Sequence, residues 1–401
     1  MDWSSISVQI SDVDIPFLGI ILKSISNSEL DSKRRAMERF WNMFLGGKSF
    51  RNVFRELISA SPSSSSLRST NVLSKNKNNN NDMKVIDTRP QDKFWTYAGF
   101  ARIDITITTQ MSLDRASQLE VLLNMWKGPV TVAIYLRQGE TLTNSEYGKQ
   151  IQSLLDTYDE RRLRCAIVEQ QDKNEYYPVN RLRNVALSLA LTEFIAFVDA
   201  DFSVPEQMYE NLMKHIRRFD RSSELKTALV IPAFQTNLHF LPSTKASMKS
   251  AIRKKTVKAF QQDGYPSGHY ATNTKRWLDS DRPYEISYRF GYEPFLVLRR
   301  PAPYYDERFV GYGQNKVSYA YELAARNYRF VVLPDVYIIH TYDESETNKK
   351  RKDWTVGWSC WRDFAKDIQR LYNGFHPVEP CWVSQYIWPK VIKSHGDQCV
   401  V

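Results

Sequence analysis

Two carboxylates, Asp199 and Asp201, stand two positions apart directly after the apolar run Phe194-Ile195-Ala196-Phe197-Val198. A short, wholly apolar run reads as a buried strand. Where such a strand leaves its sheet, both side chains can turn toward one cleft. Paired hard oxygen ligands suit Mn2+ or Mg2+. A cation held there would neutralise a diphosphate as it departs.

Three further segments carry groups of the same kind. Tyr177-Pro178-Val179-Asn180-Arg181-Leu182-Arg183-Asn184 opens the helix before that strand. Asn180 reads as its cap, and Arg183, one turn in, can meet a phosphate or the Asp pair. Tyr305-Asp306-Glu307-Arg308-Phe309-Val310-Gly311-Tyr312-Gly313-Gln314-Asn315-Lys316 joins acids, glycines and an aromatic ring in one loop, then runs into a helix over Val317 to Arg326. Gly311 and Gly313 would let the backbone approach a ligand closely. His340 ends the apolar run Phe330 to Ile339, which Pro334-Asp335 interrupts. A neutral imidazole at a strand end can complete a metal shell, although a lone His is more often a core or surface residue.

The elements that must position these groups alternate. Strand-like runs cover Ala101 to Thr108, Val130 to Leu136, Cys165 to Val168 and Phe194 to Val198. Helical patterns cover Leu113 to Trp126, with Leu119, Leu122, Leu123 and Trp126 on one face, and Asn180 to Leu191. The alternation implies an α/β fold, a mainly parallel sheet with helices on both faces. Ligands bind beyond the carboxyl ends of strands in such sheets.

Four regions follow. Residues 1–60 form an N-terminal helical segment, its apolar residues at loosely helical spacing between Ser28 and Ser59. Residues 61–93 hold the Ser61 to Ser66 and Asn78 to Asn81 runs and read as a low-complexity linker. Residues 94–345 form the main domain. Residues 346–401 form a C-terminal helical extension packed on it.

The composition is that of a globular chain: 401 residues, 42% apolar and 25% charged. Its formal net charge of +10 favours anionic partners, yet no nucleic-acid module is present. The four cysteines match no zinc spacing, and Cys360 and Cys381 could pair in an oxidising compartment. No transmembrane segment stands out, because Ile15 to Ile25 is about half the ~20 residues a span needs. No signal-type start and no Asn-X-Ser/Thr acceptor is seen.

Several segments together resemble the LARGE-type and β-1,4-glucuronyltransferase family, glycosyltransferase family 49. They are Met111-Ser112-Leu113-Asp114-Arg115, Pro178-Val179-Asn180 with Leu182-Arg183-Asn184-Val185-Ala186, and Asp199-Ala200-Asp201-Phe202. Ala271-Thr272-Asn273 with Trp277, Tyr292-Glu293-Pro294-Phe295, the loop from Tyr305 to Lys316, and Leu333-Pro334 with His340 follow in the family's order. The resemblance implies a GT-A type nucleotide-sugar-binding fold, a UDP-sugar donor, a glycan or glycoprotein acceptor, and Mn2+ on Asp199, Asp201 and His340. Thr108, Thr109 and Gln110 lie where the first strand of such a fold meets uracil and ribose. Asp114, Arg115, Asn180, Arg183, Asn184, Asp199, Gly311 and Gly313 belong to the same implied donor site.

Glucuronic acid transferred with inversion is the implied reaction, in which one carboxylate must take the acceptor's proton. Many inverting enzymes of this fold place that base just after a Gly-aromatic-Gly turn. Here Asn315-Lys316 fill those positions, which leaves Asp306 and Glu293 as candidates. The family implies the Golgi or secretory lumen; no anchor is read in the sequence, so a cytoplasmic location stays open. Two other classes compete: a haloacid-dehalogenase-like phosphatase with Asp199 as nucleophile, and a glycan- or nucleotide-binding module without turnover.

Overall fold

The computed structural model describes strands within 71–75, 83–87 and 94–95, and then residues 103–220, 226–237, 241–341, 355–372 and 375. The chain divides into two units, Met1–Arg68 and Ser69–Val401. All the described residues belong to the second. The expected helical segment over 1–60 lies outside them.

Among the described residues the strands are β1 Asn71–Lys75, β2 Met83–Asp87, β3 Phe94–Trp95, β4 Ile105–Ser112, β5 Val130–Leu136, β6 Leu163–Glu169, β7 Phe194–Phe197 and β8 Phe202–Ser203. They continue with β9 Thr227–Ile231, β10 Ala233–Thr236, β11 Val257–Ala259, β12 Tyr284–Ile286, β13 Phe295–Arg299, β14 Ala302–Pro303, β15 Arg329–Val332 and β16 Ile338–Thr341. The main sheet runs β12-β15-β9-β13-β7-β4-β5-β6-β1-β2. Its centre, β7-β4-β5-β6, is parallel, with Ile107 opposite Val130 on one side and Ala196 on the other. Strand β13 is antiparallel to both its neighbours. This is the α/β architecture the alternation predicts.

Successive residues of the central strands feed opposite faces. Ala196 joins the core under the helices Ala116–Met125 and Met208–Asp220, while Ile195 and Phe197 join the core on the other face. Leu119, Leu122, Leu123 and Trp126 are all buried, as their spacing requires. That helix ends where the Arg162 guanidinium donates to the carbonyls of Leu123, Trp126 and Gly128. A cation there satisfies acceptors that a helix end leaves unpaired.

The second sheet runs β11-β10-β16-β8. The apolar run Phe330 to Ile339 is split between the two sheets at Pro334-Asp335: β15 pairs with β9 in the first, β16 with β10 in the second. Strands β1 and β2 fall inside the stretch read as a linker. They pair with each other, and β1 pairs with β6, Leu73 opposite Cys165. The far edge of β6 offers unpaired backbone groups, which a strand of any composition can satisfy.

One local expectation is corrected. The helix before β7 is Val179–Leu189, its N-cap is Pro178, and no side chain caps it. Asn180 therefore sits inside the first turn, fully buried, and its amide is used elsewhere.

After residue 354, the helices Thr355–Ser359 and Trp361–Leu371 bury Trp358, Trp361, Phe364 and Ile368 against Phe309, Val317 and Tyr321. Cys360, between them, is disulfide-bonded, and Cys165 is free and buried. No helix among the described residues is long and apolar enough to cross a membrane.

The first of these helices docks through a glycine. A Cβ at Gly357 would lie 2.1 Å from the Gly313 carbonyl oxygen, which is backbone and cannot swing away. Gly357→Ala should therefore destabilise the fold by about 1–3 kcal/mol, the usual cost of overpacking. Urea unfolding would measure it, and an unchanged midpoint would show that the helix does not press on the glycine loop.

Candidate functional site

Strand β7 ends in a turn in which the Phe202 N–H donates to the Asp199 carbonyl at 3.1 Å. The chain then enters β8, where Phe202 lies opposite His340 of β16. This reversal explains how residues far apart in sequence meet. Asp201, just before β8, brings Oδ2 to 3.5 Å from His340 Nε2. Both remain partly open, at 42% and 19% side-chain exposure. The rings of Phe202 and Phe260 flank His340 at 5.3 and 5.4 Å.

Asp199 faces elsewhere. Its Oδ1 accepts from Arg183 Nη2 at 3.0 Å and its Oδ2 from Lys316 Nζ at 2.8 Å. Burial alone would raise the Asp199 carboxyl, but Lys316 and then Arg183 outweigh it and hold the group well below the ordinary carboxylate range. Desolvation pulls Lys316 and Arg183 down, yet Asp199 more than offsets this and leaves both raised. All three are therefore ionised. Lys316 Nζ also stands 3.6 Å from Glu293 Oε1 and 4.0 Å above the Phe295 ring.

Arg183 is held by its second amino group, which donates to Asn180 Oδ1 at 3.0 Å and Asn315 Oδ1 at 2.7 Å. Its Cζ lies 5.2 Å from the centre of the Tyr305 ring. Arg183, Asp199 and Lys316 line a cleft together with Thr108, Thr109 and Gln110. The Thr109 hydroxyl there is buried and has no partner among the described residues. Gln110 Oε1 accepts from the Tyr177 hydroxyl.

The remaining predicted residues divide between scaffold and surface. Asn180 Nδ2 donates to the Asp306 carbonyl at 2.8 Å. Asn184 donates to the Tyr305 carbonyl at 2.9 Å and to Glu307 Oε1 at 2.8 Å, and accepts from the Tyr305 N–H at 2.8 Å. Both asparagines thus clamp the 305–307 loop with the groups that a ligand would need. Gly311 and Gly313 take φ of +65° and +93° and turn that loop, the Gly311 N–H donating to Tyr177 O at 2.8 Å. Asp114, exposed in the turn after β4, accepts from the Ser112 hydroxyl; neither it nor Arg115 lines the cleft.

Of the two carboxylates proposed as base, Asp306 is gripped by Arg308, with Nε at 3.0 Å and Nη2 at 2.7 Å, and Arg308 in turn reaches Asp367 at 2.9 Å. Among the described residues Glu293 has no such clamp. It is partly exposed, beside Lys316 and next to the cleft-lining Pro294.

Two residues of the site were not singled out in the sequence as ligand groups. Lys316 has a signal in hindsight, a lysine where an acid is usual after the glycine turn. His269 has none. Its ring stacks on Phe295 at 6.2 Å and meets Phe260 edge-on at 5.3 Å, and its buried Nε2 has no partner among the described residues.

No group of three or more His, Cys, Asp or Glu side chains that could hold a metal is gathered among the described residues. Asp201 and His340 supply an oxygen and a nitrogen at one point, a donor set that fits Mn2+. Asp199 fits less well as a ligand, since both its oxygens are engaged by cations.

A family model for a "glycosyl-transferase for dystroglycan" matches residues 152–373, more than half of the chain. The xylosyl- and glucuronyltransferase LARGE2 of Mus musculus is 37% identical over 281 residues, covering 67% of this chain and 39% of its own length. The xylosyl- and glucuronyltransferase LARGE1 of Homo sapiens is 32% identical over 277 residues, covering 67% and 36%. The chain thus spans about two-fifths of the length of these curated relatives. Among solved structures, S. aureus TarS 1-349 in complex with UDP-GlcNAc aligns with a TM-score of 0.39 and 14% identity over 73% of each chain.

Burial, with Lys316 adding to it, lowers the His269 imidazole to about 3. Between that value and the ~6.5 of an unfolded histidine, only the unfolded chain takes up this proton. Stability should therefore fall as pH drops through that window, and His269 should contribute up to about 1.4 kcal/mol per pH unit. Urea titrations at pH 6.5 and 4.5 would test this. His269→Gln should flatten the slope, and an unchanged slope would mean that the ring protonates freely in the native state.

Proposed function

The chain belongs to this glycosyltransferase family, and on that premise we propose that it is a metal-assisted, inverting transferase moving a sugar from a UDP-sugar to a glycan acceptor. The observation that carries the reading is the meeting of Asp201 and His340 at 3.5 Å near a cleft lined by two buried cations. Membership also sets aside the phosphatase alternative.

In this reading Asp201 and His340 hold Mn2+ or Mg2+. The metal, when bound, supplies positive charge to the diphosphate. Arg183 and Lys316 are preorganised cations for the same developing charge, fixed before the donor arrives and therefore needing little rearrangement. Asp199 keeps the two aligned and is the residue whose grip would change most on donor binding. Thr108, Thr109 and Gln110 take the nucleoside, with the unpartnered Thr109 hydroxyl free to bond it. Glu293 is the base that removes the acceptor proton, because Asp306 is already spent on Arg308. Xylose and glucuronic acid, the sugars in the relatives' names, are the donors to try first. The disulfide at Cys360 supports an oxidising, lumenal location.

The test is transfer from UDP-glucuronate and UDP-xylose with Mn2+ present. Glu293→Gln should lower kcat roughly 10²–10⁴-fold, the usual worth of a general base. Asp306→Asn should act mainly on stability. His340→Ala should raise the Mn2+ concentration needed for half-maximal rate. Full turnover in Glu293→Gln would remove it as the base, and unaltered metal dependence in His340→Ala would remove the ligand assignment.

A further inference from the structure

Glu293 lies between two segments that each present an exposed tyrosine. On one side the Glu293 N–H donates to the Gly268 carbonyl at 2.8 Å. A Cβ at Gly268 would stand 3.6 Å from Glu293 Cβ, so the two backbones are in close contact. Two residues on, Tyr270 opens a short helical turn and is 67% exposed, with Arg289 Cζ 5.2 Å from its ring centre. On the other side, Lys316 touches Glu293 at 3.6 Å, and the loop leading into it carries Tyr312, 50% exposed. The Tyr312 hydroxyl is raised, by burial first and by the Glu293 charge second, which brings that ring within the field of the same carboxylate.

The Tyr312 loop is rigidly built. Gly311, Gly313 and Gln314 hold φ of +65°, +93° and +58°. The Gly311 N–H is bonded to Tyr177, and Gly357 packs on the Gly313 carbonyl. A large ring exposed on so constrained a backbone loses little entropy when it is covered. Its flat face suits a partner with an apolar face and a polar rim. A pyranose ring has both, with C–H groups on one face and hydroxyls around its edge. The nucleoside is assigned above to other residues, Thr108, Thr109 and Gln110.

Resting on the transferase reading above, we propose that Tyr312 and Tyr270 form the acceptor platform, sugar rings of the acceptor glycan stacking on them so that one hydroxyl reaches Glu293. Tyr312 sets the position of the reacting ring, and Tyr270 with Arg289 holds a ring farther along the acceptor.

The intact chain and its variants would be assayed with p-nitrophenyl β-xyloside, β-glucoside and β-glucuronide as acceptors and a fixed UDP-sugar. Binding of the same glycosides would be followed by saturation-transfer NMR with UDP present. Tyr312→Ala should raise the acceptor KM about tenfold or more, keep the donor KM within twofold, and lose the saturation-transfer signal of the bound glycoside. Tyr312→Phe, which keeps the ring, should retain the wild-type acceptor KM. A rise in donor KM instead, an acceptor KM unchanged in Tyr312→Ala, or no glycoside binding to the wild type would overturn the platform. Failure of the wild type to use any UDP-sugar, with glycoside binding intact and lost in Tyr312→Ala, would sink the transferase reading and leave the sugar platform standing.

Discussion

The buried ion cluster of Asp199, Arg183 and Lys316 is the constraint on which the site depends. Removing three charges from water costs several kcal/mol for each ion, and only close mutual contact offsets that cost. Each charge comes from a different element: Asp199 from the end of β7, Arg183 from the helix Val179–Leu189, Lys316 from the helix Asn315–Ala325. Their pairing therefore locks two helices against the end of the sheet. The lock extends outward through polar contacts. Arg183 orients Asn180 and Asn315, Asn180 holds the Asp306 carbonyl, and Asn184 holds Tyr305 on both sides of its peptide. Loosening any one of these leaves a buried polar group without a partner, which is costlier than the bond itself is favourable.

Much of the scaffold was legible in the residues. Apolar runs marked the central strands, and helical spacing marked the buried face of Ala116–Met125, because both patterns are local. Acidic turn residues after strands are common; the two aspartates stood out because a wholly apolar run precedes them within an alternating strand and helix pattern. What stayed hidden is long-range. Strand β8 is two residues long and carries no pattern, so its pairing with β16 could not be read, and with it the fact that His340 meets Asp201 rather than Asp199. Lys316 at a helix start reads as a solvated charge until Asp199 and Glu293 are seen beside it. Asn180 and Asn184 were assigned to the donor site through the family resemblance. A buried asparagine can equally bond backbone, and no sequence pattern separates the two uses.

The two acidic groups of the motif consequently do different work, although they are separated by one residue. Asp199 is partly buried and charge-neutralised by two cations. Asp201 is partly exposed, and among the described residues its carboxylate meets the His340 imidazole at 3.5 Å. The turn between β7 and β8 produces that difference by sending one side chain back toward the main sheet and the other out to the small one.

The join between β8 and β16 also sets an order of events during synthesis. One partner of the Asp201–His340 contact emerges from the ribosome long before the other. A nascent chain that has completed the parallel centre of the main sheet already displays both aspartates, yet has no imidazole to set beside them. Until β16 is added, the small sheet lacks the strand that joins β10 to β8. A partly made chain thus carries both aspartates without the Asp201–His340 contact. Arrested or truncated products ending before residue 340 would lack that contact altogether.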